Sequence, residues 1–240
     1  MEWNLKSETS KLEVDIHSHL IPGIDDGVNS LEDSLEIIRF FERAGYKKII
    51  TTPHIKSLKY PNQPADIRNG LLSLQEAVKQ EEINISIEAA AEYYIDETFL
   101  SLIVSKDEVL TFGDNYLLME TSFYSKPVNM EEIIFESKAA GYQPVLAHPE
   151  RYQYLENDLS WLKSIKEYGI LFQVTLTSLE GYYGHAPKEL AQKLINERMV
   201  DFLGSDIHRP GQIELNKKAL RNKYVRKALK TGVLNQKLVK

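Results

Sequence analysis

Short apolar runs and longer stretches of helical periodicity alternate along the chain. The runs at 12–16, 48–51, 85–89, 116–119, 143–146, 171–174 and 201–203 are β-branched or otherwise apolar, and most end in a polar, Gly or Pro turn, as strands do. Between them the apolar positions recur at helical spacing. Leu31, Leu35, Ile38 and Phe41 follow Ser30-Leu-Glu-Asp33, an N-cap with an acid three residues on, and Gly45 closes that helix. Further helices are predicted over 67–80, 130–140, 159–168 and 187–198, with a last one after Ile213. No linker, repeat or charge block marks a second domain. The chain therefore reads as one domain over 1–240, with an N-terminal extension at 1–11 and a basic helical tail at 213–240.

Seven strand–helix repeats with short connections predict a parallel sheet. We expect it to close, fully or nearly, into an irregular seven-stranded α/β barrel of TIM-like type; an open doubly wound sheet is the alternative. The position of the polar residues favours the barrel. Nearly every residue with candidate chemistry lies at or just beyond the C-terminal end of a predicted strand, and a barrel gathers those ends at one mouth.

Composition narrows the function. The 240 residues are 42% hydrophobic, with a mean hydropathy of -0.34, and no apolar run reaches the roughly 18 residues of a membrane span. The first ten residues carry early acids and no apolar stretch, unlike a secretory signal, so a cytoplasmic location is expected. The chain has no cysteine, which removes disulfides, thiolate zinc sites and any cysteine nucleophile. A net charge of -6 argues against binding a nucleic-acid backbone. From Ile213 onward nine Lys or Arg face a single acid, Glu214, which reads as a solvated helix closing the fold.

Five of the six histidines fall in short motifs: Asp15-Ile-His17-Ser-His19, Thr52-Pro-His54, Ala147-His148-Pro-Glu-Arg151 and Ser205-Asp206-Ile-His208. His17 and His19, two apart on a strand, point to one face, where one metal ion can bind both. Asp25 and Asp26 lie in a Pro/Gly-rich loop where an Asx turn is the plain reading. Glu92 and Glu120 each end an apolar run, a costly place for an acid unless it is exposed, paired or metal-bound. Arg151 suits a phosphate, because a guanidinium offers paired donors. His185 fits no motif and reads as a surface or loop residue. Each signal is weak alone; their conjunction at seven strand ends points to a metalloenzyme.

Together these motifs, with Asp25-Asp-Gly27, Ala91-Glu-Tyr-Tyr94 and Glu120, resemble the PHP (polymerase and histidinol phosphatase) superfamily over about residues 12–210. The branch they resemble most is the bacterial manganese-dependent tyrosine-protein phosphatases of capsule and exopolysaccharide systems. The resemblance implies three divalent ions, manganese first, with iron or zinc also compatible with nitrogen and oxygen ligands. His17, His19, Glu92 and Asp206 would hold one ion, and Glu92, Glu120 and His148 a second. Asp26, His54 and His208 would hold the third, and Arg151 would grip phosphate. Four carboxylates against three such ions leave two positive charges, matching a phosphate monoester dianion. Family members commonly carry a second phosphate-binding arginine where this chain has Ile213; Arg209 is the candidate replacement. The substrate implied is a phosphotyrosine protein, the tyrosine-rich tail of a bacterial tyrosine kinase. A small ester such as histidinol phosphate ranks second, and a metal-stabilised module that binds a phosphoprotein without turnover is the non-enzymatic alternative.

Overall fold

The computed structural model describes residues 12–105, 107–155 and 158–239; the expected N-terminal extension lies outside them. Each predicted strand is present, and parallel pairing runs throughout. The strands are β1 (Val14–Asp15), β2 (Lys48–Thr51), β3 (His54–Ile55), β4 (Ser86–Ala89), β5 (Glu92–Tyr94), β6 (Tyr116–Glu120), β7 (Gln143–Ala147), β8 (Leu171–Thr175) and β9 (Phe202–Gly204). They form two sheets, ordered β1-β2-β4 and β3-β5-β6-β7-β8-β9.

Two strands not expected from the sequence, β3 and β5, arise where a longer strand is broken. Pro53 has no N–H to donate to a ladder, so the chain steps from β2 in the smaller sheet to β3 in the larger one. The neighbouring chain breaks in the same row, between β4 and β5. Backbone pairing carries across both breaks: Ala90 N donates to Thr51 O (2.9 Å) and Glu92 N to Pro53 O (3.1 Å). β1 is shorter than the run at 12–16, but its continuation touches the far end of the chain. Ser18 bridges Ile207 in parallel, His19 N donates to Ile207 O, and Asp206 N donates to His17 O.

The helices are α1 (Leu31–Ala44), α2 (Pro64–Gln80), α3 (Phe99–Ser105), α4 (Met130–Ala139), α5 (Ser160–Glu167), α6 (His185–Asn196), α7 (Ile213–Ala219) and α8 (Lys223–Thr231). In α1 the Ser30 hydroxyl accepts from Asp33 N, and Gly45 takes the left-handed φ of 94° that a side chain would resist. α2 begins three residues earlier than predicted, because Pro64 is well tolerated in a first turn. α3 has no counterpart among the predicted helices. Among the described residues no helix is long and apolar enough to cross a membrane.

Strand residues sort by parity into two cores. Ile49, Leu117, Met119, Leu146 and Leu203 pack toward the helices. Their neighbours Ile50, Leu118, Val145, Ala147 and Phe202 meet Val14, Ile16 and Ala90 in a separate cluster. The tail helps seal this second cluster. Leu238 enters it, and buried Asn235 donates to Val14 O and Leu203 O while accepting from Leu203 N. Asp15 accepts from both the backbone N–H and the hydroxyl of Ser205 at 2.8 Å, a further tie between first and last strands.

Candidate metal centre

All nine residues expected as ligands converge at the C-terminal ends of the strands, in four overlapping groups, within each of which the donor atoms lie within 4.8 Å of one another. Glu92 sits at the middle. Its Oε2 faces Nε2 of His17 (3.0 Å), His54 (3.4 Å) and His19 (3.5 Å), and its Oε1 meets His148 Nε2 (2.9 Å). Asp206 Oδ1 stands 3.4 Å from Nε2 of both His17 and His19. On the other flank, Glu120 approaches His54 (3.5 Å) and His148 (3.7 Å). Asp26 Oδ1 approaches His54 Nδ1 (3.3 Å) and His208 Nε2 (3.7 Å). His17, His19, Glu92 and Asp206 are fully buried, whereas Asp26 opens to solvent.

Three imidazoles are aimed by bonds to their outer nitrogens. His17 Nδ1 pairs with Gln173 Oε1 (2.8 Å), His19 Nδ1 with Asp25 Oδ2 (2.8 Å) and His208 Nδ1 with Asp206 O (3.0 Å), so each presents Nε2 inward. Asp25 also accepts from His54 N and, through Oδ1, from Gly27 N. The Asx turn and the positioning role thus coexist in one residue. Two ligand candidates sit on strained backbone: His148 at φ 34° and Asp206 at φ 51° occupy the left-handed region, at roughly 1–3 kcal/mol each.

The electrostatics follow from the crowding. Burial, the largest single influence, would raise the Glu92 and Asp206 carboxyls, but His17 together with His54 and His148 at Glu92, and with Arg151 and His208 at Asp206, outweighs it, and both are held well below the carboxylate range. Burial opposes a charge on His54 too, yet Glu92, Asp25 and Glu120 push it up to about 10. His208 is drawn down to about 4 by burial and by the neighbouring His19. His19 Nε2 is buried and makes no hydrogen bond, although two carboxylate oxygens stand near it. A buried imidazole nitrogen left without a hydrogen bond, among other imidazoles and carboxylate oxygens, suits a divalent cation. The residues present therefore fit the metal chemistry expected of them.

Above the centre is a cavity of about 130 Å³ whose wall includes Lys56, Lys59, Tyr60, Phe123 and Arg151 beside the ligand candidates. Arg151, in a 3-10 turn over Pro149–Arg151, binds Asp206 Oδ2 at 2.5 Å. Its guanidinium lies between the rings of Tyr183 (4.1 Å) and Phe123 (4.8 Å). Arg209 is exposed and is not among the residues lining this cavity. Of the tyrosines near strand ends, Tyr93 is buried and accepts from Leu110 N, Tyr124 is exposed, and Tyr94 lies beneath Lys56. His185, in the first turn of α6, is exposed beside Glu189.

Sequence reasoning missed Gln173, Lys56, Phe123 and Tyr183. Only Gln173 left a signal: one amide inside the apolar run Leu171–Thr175 must find a buried partner.

Comparison with known proteins places the chain in a family. Residues 13–236 match the family model for capsular polysaccharide synthesis, CpsB/CapC, and the chain belongs to that family. The tyrosine-protein phosphatase YwqE of Bacillus subtilis is 32% identical over 196 residues, 81% of this chain and 77% of its own length. The tyrosine-protein phosphatase CpsB of Streptococcus pneumoniae is 27% identical over 201 residues, 81% of this chain and 82% of its own. A crystal structure from work on those two, described as metal-dependent tyrosine phosphatases, superposes with a TM-score of 0.76 at 30% identity, covering 91% of this chain and 85% of that one. A histidinol phosphate phosphatase from Lactococcus lactis shares the fold, with a TM-score of 0.56 at 14% identity over 92% of this chain and 94% of its own.

Proposed function

We propose that this chain is a metal-dependent protein-tyrosine phosphatase, working in the cytoplasm on the phosphotyrosine tail of a bacterial tyrosine kinase that governs capsule or exopolysaccharide synthesis. The observation that carries the proposal is the convergence of nine imidazole and carboxylate ligand candidates beneath a cavity that also contains a guanidinium. We assign three divalent ions, manganese by preference: one to His17, His19, Glu92 and Asp206; one to Glu92, Glu120 and His148; one to Asp26, His54 and His208. We read the fold as a single domain over 1–240 built on an irregular seven-stranded barrel. β2 with β3, and β4 with β5, then count as single kinked strands, and the Ser18–Ile207 bridge joins the first strand to the last. The inner apolar cluster, to which all seven strands contribute, supports this reading.

The chain's own residues divide the work. When bound, the ions supply Lewis acidity, which provides a water nucleophile at neutral pH and offsets charge on the phosphoryl oxygens. Arg151, in contact with the rings of Phe123 and Tyr183 and tethered to Asp206, donates to the phosphoryl oxygens as negative charge builds on them. Phe123 and Tyr60 line the cavity and offer apolar faces to the phenyl ring of the ester. A phenol leaves with a pKa of about 10, so its departure leans less on a general acid than an alkyl alcohol's would.

The test is phosphate release by metal-stripped protein given back manganese, run in parallel on a phosphotyrosine peptide, a phosphoserine peptide and histidinol phosphate. We expect a large preference for the phosphotyrosine peptide. Preference for histidinol phosphate would place the protein in small-molecule metabolism, and no release from any of the three would favour a phosphoprotein-binding module.

A further inference from the structure

The phosphate expected at this centre meets Arg151 on one side only, and Arg151 already spends one nitrogen on Asp206. The other side is set by strand order. In the larger sheet β3, β5, β6 and β7 are consecutive. Glu92 on β5 and Glu120 on β6 thus lie between the strand that leads into Arg151 and the strand that leads into Lys56.

Lys56 directly follows β3, in a tight turn closed by Lys56 N to Tyr60 O and Tyr60 N to Lys56 O, both 2.9 Å. It lines the cavity and is half-buried. Its ammonium rests 3.5 Å from the centre of the Tyr94 ring, a contact that restrains the chain while leaving the charge uncompensated. Among the described residues no carboxylate lies within ion-pairing distance of it. Lys59, in the same turn, differs: it reaches Asp26 Oδ2 at 3.8 Å and so has an acidic partner already. An unpaired ammonium, braced on an aromatic face and lining a cavity meant for a dianion, has one evident counter-charge: the ligand.

Resting on the phosphatase reading above, we propose that Lys56 is the second cationic contact for the substrate's phosphate, facing Arg151 across the centre and doing from the β3 side what Arg209 was expected to do. A lysine serves here as a point charge with rotatable donors, so it tolerates a range of ester orientations.

The experiment uses manganese-loaded protein carrying Lys56→Gln or Lys56→Arg, with three readouts: KM for a phosphotyrosine peptide, calorimetric binding of inorganic phosphate, and manganese bound per chain. We expect Lys56→Gln to weaken both phosphate binding and KM by about tenfold, the usual scale for losing a charged hydrogen bond, with manganese content and melting temperature unchanged. Lys56→Arg should recover most of the loss. Phosphate binding by Lys56→Gln within twofold of the parent overturns the proposal, and so does a parallel loss of manganese, which would make Lys56 a support of the centre. Should the parent protein itself fail to cleave the phosphotyrosine peptide, the functional reading falls, and the inorganic phosphate titration still decides the role of Lys56.

Discussion

Gln173 shows how much a single side chain outside the candidate ligand set can control. It is fully buried in β8, and its one carbonyl oxygen accepts from His17 Nδ1 at 2.8 Å and from His148 N at 3.3 Å. The first bond selects the His17 tautomer whose Nε2 is free toward Glu92 and Asp206; the second steadies the strained turn at His148. Replacing Gln173 by Leu keeps the volume and removes both acceptor and donor. We expect manganese affinity to fall roughly 10- to 100-fold, the range for lost partners of metal-binding histidines. Metal titration of the variant checks this, and an unchanged affinity would mean that strand packing alone orients His17.

At the scale of elements, the loop between β1 and α1 is the part most tightly bound to chemistry. A Cβ on Gly27 would lie 2.4 Å from His19 O and 2.5 Å from His19 Cβ, with Asp25 Oδ1 at 2.9 Å. Gly27→Ala must therefore displace either His19 or the turn that holds Asp25 and Asp26. We expect it to lower metal content and activity together while the helices, seen by circular dichroism, persist; a fully active, fully loaded variant would show the loop to be compliant. This loop also marks what the chain discloses locally. The alternation of strands and helices was legible because apolar period is a local property, and the ligand candidates were legible because acids and histidines at strand ends break that period. The break at Pro53 and its partner at Ala90 and Ala91 were not, since they show only once neighbouring strands are in register. The left-handed backbone at His148 and Asp206 leaves no local mark, as neither residue is glycine. Lys56 was invisible for a different reason: a lysine after a strand looks like any solvated one until Tyr94, from the adjacent strand, lies beneath it.

For the whole molecule, the centre is a clasp between distant parts of the chain. His17 and His19 follow β1, Asp206 and His208 follow β9, and Glu92, Glu120 and His148 come from the strands between. Ions that bind this assembled set and not the unfolded chain add stability by mass action, so chelation should lower the melting temperature and manganese should restore it. The pH dependence has a definite sign. In metal-free protein Glu92 and Asp206 sit well below the carboxylate range, so their contribution is present above a pH of about 4 and is lost as acid protonates them. His54, raised to about 10, contributes stability that is complete below its unfolded value of about 6.5 and disappears as the pH climbs through its folded one. Metal-free protein should thus lose stability toward both acid and alkali. A proton held by His54 at neutral pH must leave before an ion can take its place, so manganese uptake should release protons and apparent affinity should rise with pH. Calorimetric titration in two buffers of different ionisation enthalpy measures that release directly. Identical heats in both buffers would mean that His54 is already neutral in the metal-free protein and that no ligand candidate gives up a proton on binding.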